Sequence, residues 1–185
     1  MRFLPSRLRQ ARIEAGSDCG ELMGYNFLAG EPVVDVKRGT TLITRSPGGA
    51  LTLANFMKMQ IYSALGALAI GCEILNKEDV RIASVCGHGG FFKAPVVGQS
   101  AMSAALGAPV TVMQNAGEGG AWGIAVLALF SALGEGDLDA FLDRVFADAQ
   151  KHTLSASEAE KADFSAFMDK YRKGLSVQRL ASEVI

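Results

Sequence analysis

Two short glycine-rich runs hold most of the residues in this chain whose types and spacing could do chemistry. Gly87-His88-Gly89-Gly90 follows the β-branched run Val80-Arg81-Ile82-Ala83-Ser84-Val85-Cys86. Gly117-Glu118-Gly119-Gly120 follows Val110-Thr111-Val112-Met113 after a short turn. Glycine at the end of a strand lets the backbone take positive φ and lets a ligand approach where a Cβ would stand. A helix starting there presents unpaired N–H groups and a positive dipole end, which suits a phosphate. Neither run is a G-x-x-x-x-G-K-[ST] loop or a G-x-G-x-x-G dinucleotide fingerprint. The chemistry on offer is anion binding by backbone; the plainer alternative is tight packing of helix on strand.

The side chains around these runs add little catalytic power. His88 has no carboxylate near in sequence to orient it, so it reads as a hydrogen-bonding loop residue. Lys93 can meet a phosphate as a point charge or project into solvent. Glu118 stands where a helix begins and favours its positive end. Phe91 and Phe92 can flank a base or join the core, and Trp122 reads as packing. Cys19, Cys72 and Cys86 are odd in number and lack metal-ligand spacing, so they read as reduced cysteines.

These residues must be positioned by a folded domain. In 185 residues, 49% are hydrophobic and 20% charged, with a net charge of -1. That composition predicts one globular domain with its own core and removes a broad electrostatic grip on nucleic acid or anionic lipid. The greasiest stretch, Ile61–Ile74, is too short and mixed to span a bilayer. No apolar segment follows the arginines of 1–12, so no signal peptide is read and a cytoplasmic protein is expected.

Residues 1–24 read as an irregular segment and 25–185 as the domain. Tyr25-Asn26-Phe27-Leu28 is a short ordered stretch, and Thr41-Leu42-Ile43-Thr44 a strand or extended loop. From Thr52 the period turns helical, with Leu53, Met57, Ile61, Leu65, Leu68, Cys72 and Leu75 forming an apolar stripe. Val80–Cys86 is a strand, and Pro95 suits the first turn of a helix that runs to about Leu106. Gly107-Ala108-Pro109 closes it before the strand Val110–Met113. A helix from Ala121 to about Leu133 follows, then one capped by Asp137, with Leu138, Phe141, Leu142, Val145 and Phe146 on one face. Ser155-Ala156-Ser157-Glu158 resembles a capping box opening a last helix that buries Phe164, Phe167, Met168 and Tyr171. Helices alternating with strands that end in glycine turns make an α/β pattern.

Three segments together resemble the C-terminal half of the FGGY-family carbohydrate kinases. They are Val85-Cys86-Gly87-His88-Gly89-Gly90-Phe91-Phe92-Lys93-Ala94-Pro95, then Leu106-Gly107-Ala108-Pro109-Val110, then Glu118-Gly119-Gly120-Ala121-Trp122-Gly123-Ile124-Ala125. Tyr25–Glu31 and Leu51–Phe56 are similar to a xylulokinase-like branch, so the resemblance covers most of the chain from about Gly20. It implies a ribonuclease-H-like, actin-like ATPase fold, here an incomplete C-terminal domain. By position, Gly87, His88, Gly89, Gly90, Phe91 and Lys93 would hold the nucleotide, with Gly117, Glu118 and Gly119 closing the cleft.

The resemblance further implies ATP with Mg2+, a sugar (a ketopentose such as xylulose) bound through an N-terminal domain, and a chain inactive by itself. No catalytic base is assigned, because the family's phosphate loops and catalytic aspartate have no match here: Asp35 before Arg38-Gly39-Thr40 lacks the spacing. The chain therefore reads as part of a kinase. A non-enzymatic actin-like fragment that binds nucleotide or a partner chain is the alternative, and a homodimer is a further expectation.

Overall fold

The computed structural model describes residues 13–94, 96–114, 116–134 and 136–185. The expected Pro95 helix start lies outside those residues, as do positions 1–12 of the irregular segment. Within the rest of that segment the structure is ordered. Cys19–Glu21 makes a 3-10 turn and Leu22–Asn26 forms β1, which pairs antiparallel with β2 (Thr41–Arg45) in the register Leu22↔Arg45 to Asn26↔Thr41. Gly16, Gly20 and Asp18 fix this entry, Asp18 Oδ1 accepting from Gly20 N at 3.0 Å. The expected boundary at residue 24 therefore falls inside a strand.

Helix α1 (Leu53–Lys77) starts at Thr52, whose hydroxyl accepts from Asn55 N at 3.1 Å. Its buried side is Asn55, Lys58, Met59, Tyr62, Ser63, Leu65, Gly66 and Ala69. Of the expected apolar stripe only Leu65 is buried, while Leu53, Leu68 and Leu75 are exposed. The reason is the neighbours. Strand β1 lies on Met59 and Ser63, whose hydroxyl donates to Gly24 O at 2.7 Å, and the Tyr171 ring lies flat against Gly66. Ser63 and Gly66 permit that closeness, so the buried side is centred on them and not on the stripe of Leu53, Leu68 and Leu75.

The last helix, α5 (Glu158–Val184), is where pattern and structure agree best. Phe164, Phe167, Met168 and Tyr171 are buried as the spacing predicts. Its capping box is formed by Ser157 and Glu160, two residues later than Ser155-Ala156-Ser157-Glu158 suggests. Tyr25 donates to Tyr171 O at 2.8 Å, and Gln178 and Arg179 reach Thr40 O and Val34 O at 2.8 Å each, tying β1 and the loop before β2 to this helix. Cys19 lies in the same core, where burial pushes its thiol up to about 12.

The second sheet carries the glycine turns. Its order is β3-β4-β5: β3 (Val85–Gly87) runs parallel to β4 (Val110–Met113), and β5 (Lys151–Leu154) runs antiparallel to β4. The run expected as a strand over Val80–Cys86 pairs only at its end, since β4 is short and begins opposite Val85. Strand β5 escapes the sequence reading because Lys151-His152-Thr153-Leu154 is polar and brief. Helix α2 (Val97–Leu106) covers one face of this sheet. Its buried Gln99 donates to Val110 O at 3.0 Å and to His152 O at 2.9 Å, stitching β4 to β5. Gly107, at φ 66°, ends α2. Helix α3 (Gly119–Leu133) leaves the end of β4, two residues earlier than expected, and α4 (Leu138–Val145) is capped by Asp137 as expected.

Candidate functional site

The parallel pair β3 and β4 end side by side, and each runs into one of the glycine turns. In open α/β sheets this carboxyl edge is where ligands bind. After β3, Gly89 adopts φ +93°, a backbone only glycine takes without strain, and opens a 3-10 turn over Gly90–Lys93. After β4 the turn Ala116–Glu118 leads into α3. The two turns touch. Lys93 Nζ donates to Glu118 Oε1 at 2.7 Å, and the stem of Lys93 lies on Gly117, where an added Cβ would stand 3.1 Å from Cε. A Cβ on Gly119 would stand 2.7 Å from that of His88. The structure thus brings His88, Lys93, Gly117, Glu118 and Gly119 into one place.

The glycines divide into two kinds. Gly87 is covered by the Phe92 ring, and Gly117 and Gly119 by Lys93 and His88, so these three are small because of packing. Gly89, Gly90 and Gly120 face open space, with no heavy atom within 4 Å of an added Cβ. An anion could reach the backbone there. Phe91 and Phe92 meet edge to face at 5.4 Å, Phe92 is buried, and Phe91 lies against Gly98. Both rings take part in packing, Phe92 buried and Phe91 partly buried.

The Lys93 ammonium, by hydrogen bond and by charge, holds the Glu118 carboxyl below the usual glutamate range. Both side chains are largely exposed, so the pair is a clasp between loops and contributes little to stability. A nucleotide's phosphates fit the open backbone of Gly89, Gly90 and Gly120, with Lys93 as the nearby cation. A divalent metal fits less well: among the described residues no three His, Cys, Asp or Glu side chains cluster to hold one.

Trp122, expected to serve packing, is 45% exposed on the first turn of α3. It walls a groove of about 380 Å³ at the end of β4, together with Met113, Gln114, Phe146, Asp148 and Gln150.

This mixed α/β arrangement has the ribonuclease-H-like, actin-like fold, as a partial domain. The family model "FGGY family of carbohydrate kinases, C-terminal domain" matches residues 5–132, and the chain belongs to that family. Solved structures agree on the fold. The xylulose kinase from Rhodospirillum rubrum superposes with a TM-score of 0.66 at 16% identity, over 96% of this chain and 35% of its own. The gluconate kinase from Lactobacillus acidophilus gives 0.68 at 15%, over 95% and 35%, and the ligand-bound xylulose kinase from Lactobacillus acidophilus gives 0.66 at 16%, over 96% and 34%. The chain therefore spans about a third of the length of these kinases. A search of curated protein sequences returned no match.

Proposed function

We propose that this chain forms the nucleotide-binding part of an ATP-dependent sugar kinase of the cytoplasm, acting in the complete protein on a ketopentose such as xylulose. The observation that carries it is the clasp Lys93–Glu118, which joins two glycine turns at the carboxyl ends of neighbouring parallel strands. Gly87, His88, Gly89, Gly90, Phe91, Lys93, Gly117, Glu118 and Gly119 make up the proposed site. Gly89 and Gly90 take the phosphates by backbone, Lys93 balances their charge, and the others shape the turns. The sugar class is supported by the names of the structural neighbours, two xylulose kinases among them.

Phosphoryl transfer also needs a base at the acceptor hydroxyl and a metal clamp on the phosphates. Mg2+ and the sugar are assigned to the rest of the kinase, and the chain alone is expected to bind nucleotide without turnover. No described helix is long and apolar enough to cross a membrane. Titrating ADP into the chain by calorimetry should give saturable one-to-one binding, while ADP release from ATP with a panel of pentoses and pentuloses stays at the buffer rate. Absence of binding would overturn the assignment, and sugar-dependent turnover would overturn the division of labour. The second reading, a non-catalytic fragment binding nucleotide or a partner chain, draws on helix α3, whose Ile124, Leu127, Leu129 and Leu133 lie exposed.

A further inference from the structure

A cavity of about 190 Å³ lies between α1, α2 and α5, and no described residue that lines it belongs to the glycine turns. It exists because of residue size. The face that α2 gives it is Val97, Ser100, Ala101 and Ala104, three and four residues apart and so on one side of the helix. Helix α1 gives Ile61 and Tyr62. Alanine side chains fill too little of the space between helices to close it. Tyr62 is held elsewhere, edge-on to Phe164 and Phe167 of α5 at 5.1 and 5.4 Å between rings. Tyr62 and Ala101 also belong to the main core, so the cavity is shaped by packed helices.

One ion pair interrupts the apolar wall. Lys58 of α1 is buried, and its ammonium donates to Gly16 O at 3.1 Å and to Asp163 Oδ2 of α5 at 2.9 Å. An ammonium has three donors and a carboxylate two oxygens. Among the described residues one N–H of Lys58 and Asp163 Oδ1 are therefore left over, side by side in the lining. The other polar pair is already used: Ser100 donates to Glu160 Oε1, and Ser157 N to Glu160 Oε2 at 2.9 Å. A spare donor beside a spare acceptor suits a hydroxyl, which accepts and donates at once. A charged ligand fares worse, since a cation meets Lys58, an anion meets Asp163 and Glu160, and burying either is costly. An apolar cavity of about 150 Å³ is enough for benzene, so this one admits a single ring with one polar substituent. It is too small for the drug-sized ligands that take roughly 300–1,000 Å³.

We propose that this cavity is a binding site for a small uncharged alcohol, its apolar body between α1 and α2 and its hydroxyl on the Lys58–Asp163 pair. The site stands whether or not the glycine turns bind a nucleotide. The probes are benzyl alcohol, toluene, benzylamine and benzoate, which share a ring and differ in the group it carries. Each is titrated into the isotope-labelled chain, followed by amide chemical shifts, in the wild type and in Ala104→Leu. That substitution puts a larger side chain into the cavity, and far-ultraviolet dichroism checks its folding.

The expected result is saturable binding of benzyl alcohol, with the largest shifts at the amides of Ser100, Ala101 and Ala104. Toluene, benzylamine and benzoate should each bind about tenfold more weakly, or worse, for want of the hydroxyl's two hydrogen bonds or because of their charge. Ala104→Leu should fold and weaken benzyl alcohol by about tenfold or more. No saturable shift in the wild type, shifts centred elsewhere, or equal affinity in folded Ala104→Leu overturns the site. Toluene or a charged probe binding as tightly as benzyl alcohol overturns the hydroxyl assignment. If Ala104→Leu fails to fold, the place of the wild-type shifts and the ranking of the four probes decide. None of these outcomes bears on the ADP titration, which tests the glycine turns by themselves.

Discussion

At the scale of single residues, Glu118 is the group whose behaviour reports the clasp. Its carboxyl is held below the ordinary glutamate range by the hydrogen bond and the charge of Lys93. A lowered carboxyl pKa means the interaction is fully present above the unfolded-state value and is lost as pH falls through the folded one. A carbon-detected NMR titration should therefore place the Glu118 midpoint below that of an ordinary glutamate, and Lys93→Met should return it to the usual range. An identical midpoint in both proteins would show that the clasp does not hold in water. The melting temperature should barely move in Lys93→Met, because both partners are largely exposed. Residue type alone did not distinguish the glycines. Seven of the eight residues in the two runs are neutral or imidazole, and only neighbours decide that Gly87 is filled by Phe92 while Gly89 stays open.

At the scale of elements, α1 and α5 supply most of the core, and at Gly66 the ring of Tyr171 packs directly on α1. An added Cβ there would stand 2.5 Å from Cζ of Tyr171, a buried ring that β1 also holds through Tyr25. Gly66→Ala should destabilise the fold by about 1–3 kcal/mol despite the better helix propensity of alanine, since overpacking exceeds the gain of up to about 1 kcal/mol. Urea unfolding measures it, and an unchanged or raised midpoint would mean the helices can part. The same contact explains what the sequence left illegible. Helical period was plain in both helices. In α5 large aromatics point inward and period predicts the core; in α1 the small Ser63, Gly66 and Ala69 face inward beside Met59, Tyr62 and Leu65, while Leu53, Leu68 and Leu75 of the apolar stripe lie exposed. The strand Val110–Met113 was legible from its β-branched run, and the one before Gly87 was legible in place but not in length, forming only over Val85–Gly87. Strand β5 was not, because a short polar edge strand takes its conformation from its partner β4.

At the scale of the molecule, the buried hydrophobic cluster draws on β1, α1, α2 and α5, and among the described residues none of it comes from α3 or α4. Helix α3 carries no charged residue and is apolar on all sides, yet Val126 is its one buried member. A helix of that kind is ordinarily buried all round. The chain matches about a third of each solved sugar kinase, and in the function proposed above phosphoryl transfer falls to the rest of the kinase. The central claim is that the paired glycine turns bind the nucleotide. Calorimetric titration of ADP into the wild type, Gly89→Val and Gly48→Val tests it most directly. Gly89 combines φ +93° with open space, whereas Gly48 is open but has an ordinary backbone and lies in the turn after β2. The account predicts wild-type affinity in Gly48→Val and at least tenfold weaker binding in Gly89→Val, with both variants folded by dichroism. Equal affinity in all three proteins would contradict it and put the nucleotide elsewhere.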